Sequence, residues 1–255
     1  MESIIGKDLQ RKEAFDKVTG NAKYTDDFAA AGIYHIELLT SPYAHAVIIS
    51  IDSSKAADSK GVKAIITGND IDILCGSLIE DMPPLAKGKV RYFGEPVAMV
   101  VADCEQNAKA SAAKLKVQYE KLPVVNSIWD ALKENPVILH ENLTQYNKLV
   151  PDVSPEENSN ICNRVEIRKG DMQKGWNESE IVIEGSFSLP HCDHAAMETR
   201  TARCEILPDG NVLFSSSAQA PFSVKKLISK YFDIPEGNII AKVPFVGGGF
   251  GGKVP

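Results

Sequence analysis

The chain has 255 residues, 44% hydrophobic and 24% charged, a balance that supplies a packed core, most simply two domains, and excludes a disordered or low-complexity protein. Its formal net charge is −6 at pH 7 with basic residues scattered, so it lacks the positive footprint that a nucleic-acid partner needs. The longest apolar run, "PVAMVVA" (96–102), is too short to span a bilayer, and "MESIIGKDLQRKEAF" has no apolar leader core. Five widely spaced cysteines form no C-x-x-C pair, which points to reduced thiols in a cytoplasmic protein rather than a zinc knuckle or iron–sulfur site.

Strand signals begin with "IYHIELLTS" (33–41) and "AVIISID" (46–52), short apolar or β-branched runs of strand length. "SSKAAD" (53–58) reads as a short capped helix, and "VKAIITG" (62–68) as the next strand. "EPVAMVVA" (95–102) predicts another strand leading into "CEQNAKASAAKLK" (104–116). That segment is rich in Ala and Lys and free of internal Gly or Pro, so it predicts a helix. "VQYEKLPVV" (117–125) is again a strand until Pro123. The strand–helix–strand run predicts one compact α/β domain of about 130 residues around a small sheet, placed at residues 1–134.

Residues 135–160 mix Pro, Asn and acidic residues without a period and read as a crossing linker. Beyond it, "SEIVIEGSFSLP" (179–190) is expected to be a strand. "RTARCEILPDGNVLFSSS" (200–217) is expected to be a hairpin turning at Pro208-Asp209-Gly210. "SVKKLISKYFDI" (223–234) is amphipathic, with Val224, Leu227, Ile228 and Tyr231 on one face, and Pro235 ends it. "NIIAKVPFV" (238–246) then climbs as a strand into a run of glycines. Trp129 and Trp176 read as packing residues in short helical stretches, and His45 and His140 as surface or core histidines rather than ligands. Glu95, before Pro96, needs only a turn role.

The closing "VPFVGGGFGGKVP" (243–255) invites three readings. Gly247, Gly249 and Gly252 satisfy G-x-G-x-x-G, but a dinucleotide site also needs a following helix and an acidic residue further on. Gly247, Gly252 and Lys253 satisfy most of the G-x-x-x-x-G-K of a P-loop, yet Val254 stands where Ser or Thr must hold magnesium. A turn with no ligand is the third reading. Five glycines among six residues are costly to order, however, and such a run serves close approach of an anion to bare amides. A strand and a glycine turn call for a following element, so the chain reads as the front part of a longer design. "HCDHAAMETR" (191–200) gathers His191, Cys192, Asp193, His194 and Glu198; zinc is the obvious temptation, but the spacing fits no standard site, and a polar loop facing a pocket is the alternative.

At these residues the chain resembles the molybdenum hydroxylases, the xanthine dehydrogenase and aldehyde oxidase family. "VPFVGGGFGGK" resembles that family's glycine loop, and "HCDHAAMETR" is similar to its Q-x-H-x-x-M-E segment. "SSSAQAPFSVKKLISKYFDIPEGNI" is similar to its S-T-Q-x-P stretch and following helix. Upstream, "VTGNAKYTDDF", "SPYAHAVIISID", "GVKAIITGNDI" and "VRYFGEPVAMVVA" resemble its N-terminal hammerhead domain. The resemblance runs nearly end to end in consistent order. It implies an α+β fold: an α/β hammerhead domain at 1–134, the linker at 135–160, and the first α/β segment of a molybdopterin-binding domain at 161–255. It also implies the N-terminal portion of a molybdenum-binding large subunit that hydroxylates purines, related heterocycles or aldehydes with oxygen from water. The cofactor would be molybdenum–molybdopterin in the full assembly, with 2Fe-2S clusters and FAD on partner chains.

The same resemblance assigns Gly248, Gly249, Phe250, Gly251 and Gly252 to cofactor binding, with Phe250 nearest the metal. Cys192 stands where the family commonly has a glutamine near the metal, and Val254 where xanthine-oxidising members often carry a substrate-binding acid. The family's catalytic glutamate lies far beyond the matched region, so no catalytic residue and no direct metal ligand is assigned, and the chain alone is expected to be inactive. Two rival functions stay open: a non-catalytic interaction module that docks iron–sulfur and FAD subunits, and a nucleotide-binding domain built on the glycine loop.

Overall fold

The computed structural model describes residues 4–28 and 30–254, and Pro255 of the glycine stretch lies outside them. Residues cluster into two units: Ala31–Gly185, and a discontinuous unit joining the stretch up to Ala30 with that from Ser186 onward. The discontinuous unit begins with a short helix, α1 (Ala14–Val18), and a 3-10 turn (Thr25–Asp27).

The continuous unit carries the elements expected around the long apolar run and one short strand, at Lys89–Val90, that was not expected. In order they are β1 (His35–Thr40), β2 (Ala46–Asp52), α2 (Ser54–Ala57), β3 (Val62–Thr67), β4 (Lys89–Val90), β5 (Pro96–Ala102), α3 (Glu105–Ala112) and β6 (Lys116–Lys121). They build two three-stranded antiparallel sheets, β1-β5-β3 and β4-β2-β6, rather than the one small sheet expected. β5 explains why its sequence is apolar throughout instead of alternating. Ala98 and Val100 join Ala56, Ala112 and Leu115 in one core cluster, while Val97 joins Ala46, Ala86 and Val90 in another. A strand buried on both faces has no polar side to display.

Small residues let α3 approach closely: Ala108, Ser111 and Ala112 are buried, and the Ser111 hydroxyl donates to the Ala56 carbonyl at 2.9 Å. Residues 135–160 hold one 3-10 turn (Leu143–Gln145) and fold back on residues 78–82, with Ile79, Leu143 and Val153 forming a small cluster. Two short helices complete the unit, α4 (Ile128–Leu132) and α5 (Met172–Glu178), capped by Ser127 and Asp171 accepting from the Asp130 and Lys174 amides. Trp129 and Trp176 sit on them as expected but do not pack; they are 82% and 52% exposed.

One strand expectation fails. Residues 179–190 form no strand, and Ile181, Ile183, Phe187 and Leu189 stand 79–91% exposed. Alternation of apolar side chains predicts a strand only when a neighbour supplies the ladder, and among the described residues none does.

In the discontinuous unit, β7 (Ala202–Ile206) and β8 (Val212–Ser216) form the expected hairpin around Gly210, whose φ is +83°. α6 (Pro221–Phe232) crosses over to β9 (Ile239–Lys242), which pairs parallel to β8. This is a β–α–β connection, and it delivers the chain from β9 directly into the glycine turn. α6 starts with Pro221 at its first position and stops at Asp233, whose φ of 51° is left-handed. Among the described residues, no helix is long and apolar enough to cross a membrane.

Candidate functional site

After β9 the backbone is anchored before it reaches the glycines. The Phe245 ring lies 6.3 Å from the Tyr24 ring, and the Lys17 ammonium lies 5.7 Å from its centroid. The turn itself then adopts conformations few residues tolerate: φ is +106° at Gly248, +50° at Phe250 and +89° at Gly251. Phe250 is the exception to glycine in this set, and its ring is left 73% exposed. Left-handed backbone at a bulky residue is costly and persists where surrounding contacts enforce it.

Those contacts come from three places. Glu198, on the irregular segment before β7, accepts the Gly247 amide at 2.8 Å through Oε2, while the Glu198 amide donates to the Gly247 carbonyl at 3.2 Å. The same Oε2 takes the Lys253 ammonium at 2.9 Å, and the two side chains are 10% and 4% exposed. Gln219, between β8 and α6, accepts the Gly251 amide at 3.1 Å and the Lys253 amide at 3.2 Å through Oε1, and its own amide donates to the Lys253 carbonyl at 2.9 Å. Arg200 caps the far end, donating from Nε and Nη2 to the Gly252 carbonyl at 3.1 and 2.8 Å. Within the turn, the Gly252 amide donates to the Gly249 carbonyl at 2.7 Å.

The residue types follow from this crowding. A Cβ on Gly249 would sit 2.6 Å from the Gln219 amide group, and one on Gly252 would sit 2.8 Å from the His194 ring. What remains is a short run of donors. The Gly248, Gly249 and Phe250 amides find no acceptor among the described residues, although every other amide from Gly247 to Lys253 does. Successive unpaired amides at alternating backbone handedness form a concavity for an anion. Beside it lies a cavity of about 190 Å³ lined by His194, Glu198, Arg200, Gly249, Gly252 and Lys253. A larger apolar hollow of about 410 Å³ runs between α6 and the hairpin, lined by Phe214, Val224, Leu227, Ile228 and Tyr231.

Of the residues singled out from sequence, the structure brings Gly248 to Gly252 together on one turn. Cys192 stands apart from that hydrogen-bond set, exposed, with its thiol 3.9 Å from the Pro190 carbonyl. Among the described residues, no group of three or more His, Cys, Asp or Glu is arranged to hold a metal ion. Glu198 was named only among the zinc candidates and Lys253 only in the P-loop pattern, while Gln219 and Arg200 were not singled out, although all four lie in motifs quoted above. The signal available was the need of a glycine-rich turn for outside acceptors, which Gln219 and Glu198 supply.

Two family models match. The hammerhead domain of aldehyde oxidase and xanthine dehydrogenase covers residues 19–123, and the molybdopterin cofactor-binding domain covers residues 153–255. A probable xanthine dehydrogenase subunit of Bacillus subtilis is 33% identical over 98% of this chain and 32% of its own length. Aldehyde oxidase 2 of Rattus norvegicus is 32% identical over 100% of this chain and 17% of its own. The crystal structure of quinoline 2-oxidoreductase from Pseudomonas putida 86 superposes with a TM-score of 0.81 at 30% identity, covering 99% of this chain and 32% of that one. The chain therefore belongs to the xanthine dehydrogenase and aldehyde oxidase family of molybdenum hydroxylases, with an α+β fold made of hammerhead and molybdopterin-binding segments. It spans about a third of the length of the bacterial relative.

Proposed function

We propose that this chain supplies the hammerhead unit and the glycine-turn wall of a molybdopterin-dependent hydroxylase acting on purines, related heterocycles or aldehydes. The observation that carries the reading is the run of unpaired amides at Gly248, Gly249 and Phe250 on a turn whose other amides are engaged. Main-chain amides donate to negative oxygen without adding a competing acid, which suits both an oxo ligand and a phosphate. Gly248 to Gly252 would hold the group, with Phe250 on the metal side and Cys192 at the place the family gives to glutamine.

When bound, molybdenum–molybdopterin supplies two-electron redox chemistry. In the overall reaction a substrate C–H bond breaks, a C–O bond forms with oxygen from water, and two protons and two electrons are released. Partner chains carrying 2Fe-2S clusters and FAD would take up the electrons. No residue of this chain is assigned as the base that activates water, and the partners are the rest of the molybdenum subunit and the iron–sulfur and FAD subunits. On this reading the assembly works in the cytoplasm.

The test is to co-express the chain with the polypeptides that complete the relatives' length and with the electron-transfer subunits, then measure molybdenum, pterin and oxygen transfer from labelled water. The reading expects bound pterin and substrate oxidation in the assembly and none in the chain alone. An assembly that forms without pterin would favour a non-catalytic docking module instead, a reading to which the exposed Ile181, Ile183, Phe187 and Leu189 lend support. Micromolar binding of ATP or NAD to the isolated chain would favour the nucleotide reading and count against the hydroxylase.

A further inference from the structure

The Glu198 carboxylate does two things at once. It takes the Gly247 amide at the start of the turn and the Lys253 ammonium at its end on one oxygen, Oε2, and the ion pair is almost wholly withdrawn from solvent. Its second oxygen, Oε1, is buried with no hydrogen-bond partner among the described residues. A buried carboxylate left half-satisfied is expensive, and replacing a buried ion pair by apolar residues often costs nothing or stabilises a protein. Stability is therefore a poor reason for this pair. Position is a better one, because the residues tied by Oε2 flank the unpaired amides Gly248, Gly249 and Phe250.

We infer that Glu198, acting through the Gly247 amide and Lys253, is a positioning residue that keeps the Gly248 to Phe250 amides directed at an anionic ligand, with Gln219 as the second clamp on Gly251 and Lys253. The pair is charge-neutral as a unit, so attraction for the anion rests with the amides themselves. This rests on the reading above for the identity of the anion, but its geometry does not depend on that identity.

The inference is tested in the absence of cofactor by residue-resolved hydrogen exchange on the unaltered chain. The Gly247, Gly251 and Lys253 amides are expected to be protected, while Gly248, Gly249 and Phe250 exchange near intrinsic rates. Equal protection along the whole turn would overturn the inference, whatever any variant does.

The paired variants then separate positioning from bulk stability. E198M/K253M removes both charges and the acceptor; it is expected to melt close to the parent, yet to lose protection at Gly247 by about tenfold or more, as a lost hydrogen bond to a charged group implies. Chymotrypsin cleavage after Phe250 should accelerate with it. E198Q/K253M keeps an acceptor for Gly247 and is expected to restore most of the protection. Parent-like exchange and cleavage in a folded E198M/K253M variant would overturn the inference. An assembly without pterin would count against the hydroxylase reading but leave a protected Gly247, and hence the clamp, standing.

Discussion

Gly249 shows how a single missing atom organises the turn. Substituting alanine puts a Cβ 2.6 Å from the Gln219 amide group, and that group is already committed to the Gly251 and Lys253 amides. The side chain must swing away and give up two hydrogen bonds. We expect G249A to lower stability by about 1–3 kcal/mol, at about 0.5–1.5 kcal/mol per bond, with faster hydrogen exchange confined to Gly251 and Lys253. A denaturant melt and an exchange map would check it, and an unchanged Gly251 rate would show that Gln219 is not the clamp. The glycines of this turn were legible in the sequence because their number has no cheap explanation. Their partners were not, because Glu198 is 49 residues from Gly247 and Gln219 is 32 from Gly251. Local pattern can announce that a turn needs acceptors; it cannot say which distant side chain the fold will bring.

At the scale of elements, legibility followed the source of each element's stability. β2, β5 and α3 were readable because their own pattern and composition agree with what they bury, and α6 because its apolar stripe is the one that lines the hollow beside the hairpin. Residues 179–190 were not, because alternation describes half of a ladder and the other half is missing from the described residues. Trp129 and Trp176 misled for a related reason: an aromatic on a short helix packs only where a neighbouring surface covers it.

Two predictions belong at this scale. Ser111 is fully buried and donates to the Ala56 carbonyl, joining α3 to α2. S111A removes this link while the Ser59 amide still donates to the Ala56 carbonyl at 3.1 Å, and it is expected to cost about 0.5–1.5 kcal/mol in a urea melt. S111A stability equal to the parent would mean that the Ser111 bond adds nothing beyond the one from the Ser59 amide.

His140 gives the second. Burial, then the positive charges of Arg91 and Lys89, hold its imidazole down to about 4 from an ordinary 6.5, with Glu141 pulling the other way. Its Nδ1 lies 3.1 Å from the Tyr146 hydroxyl. Between these two pH values the unfolded chain binds the extra proton, so this group's share of stability falls as pH drops from 6.5 towards 4 and is flat above. Asp81 and Glu95 act in the opposite sense, because burial raises both carboxyls and their contribution declines as pH rises past the ordinary carboxylate range. The difference between parent and H140Q holds those two constant. Melting temperatures of the pair should converge as the medium is acidified from pH 7 to pH 5, with the parent losing more; parallel curves would mean His140 titrates normally.

On the scale of the whole molecule, sequence resemblance and structure agree on family and fold. The bacterial relative is matched over only 32% of its length, yet that match takes in 98% of the chain. If the hydroxylase reading holds, the exposed alternation at Ile181, Ile183, Phe187 and Leu189 is a strand waiting for its ladder. Among the described residues, no main-chain hydrogen bond is made by residues 180–189, so in the isolated chain their amides should exchange at nearly intrinsic rates. Adding the polypeptides that complete the relatives' length should slow those amides by about a hundredfold or more, the range that a hydrogen-bonded strand in a folded core reaches. The apolar side chains should leave water in the same step, because a paired strand with one buried face is the state that their alternation encodes. Rates at 180–189 that stay intrinsic in an assembly carrying pterin would place the completing ladder elsewhere, and the period-2 pattern would then need a different cause.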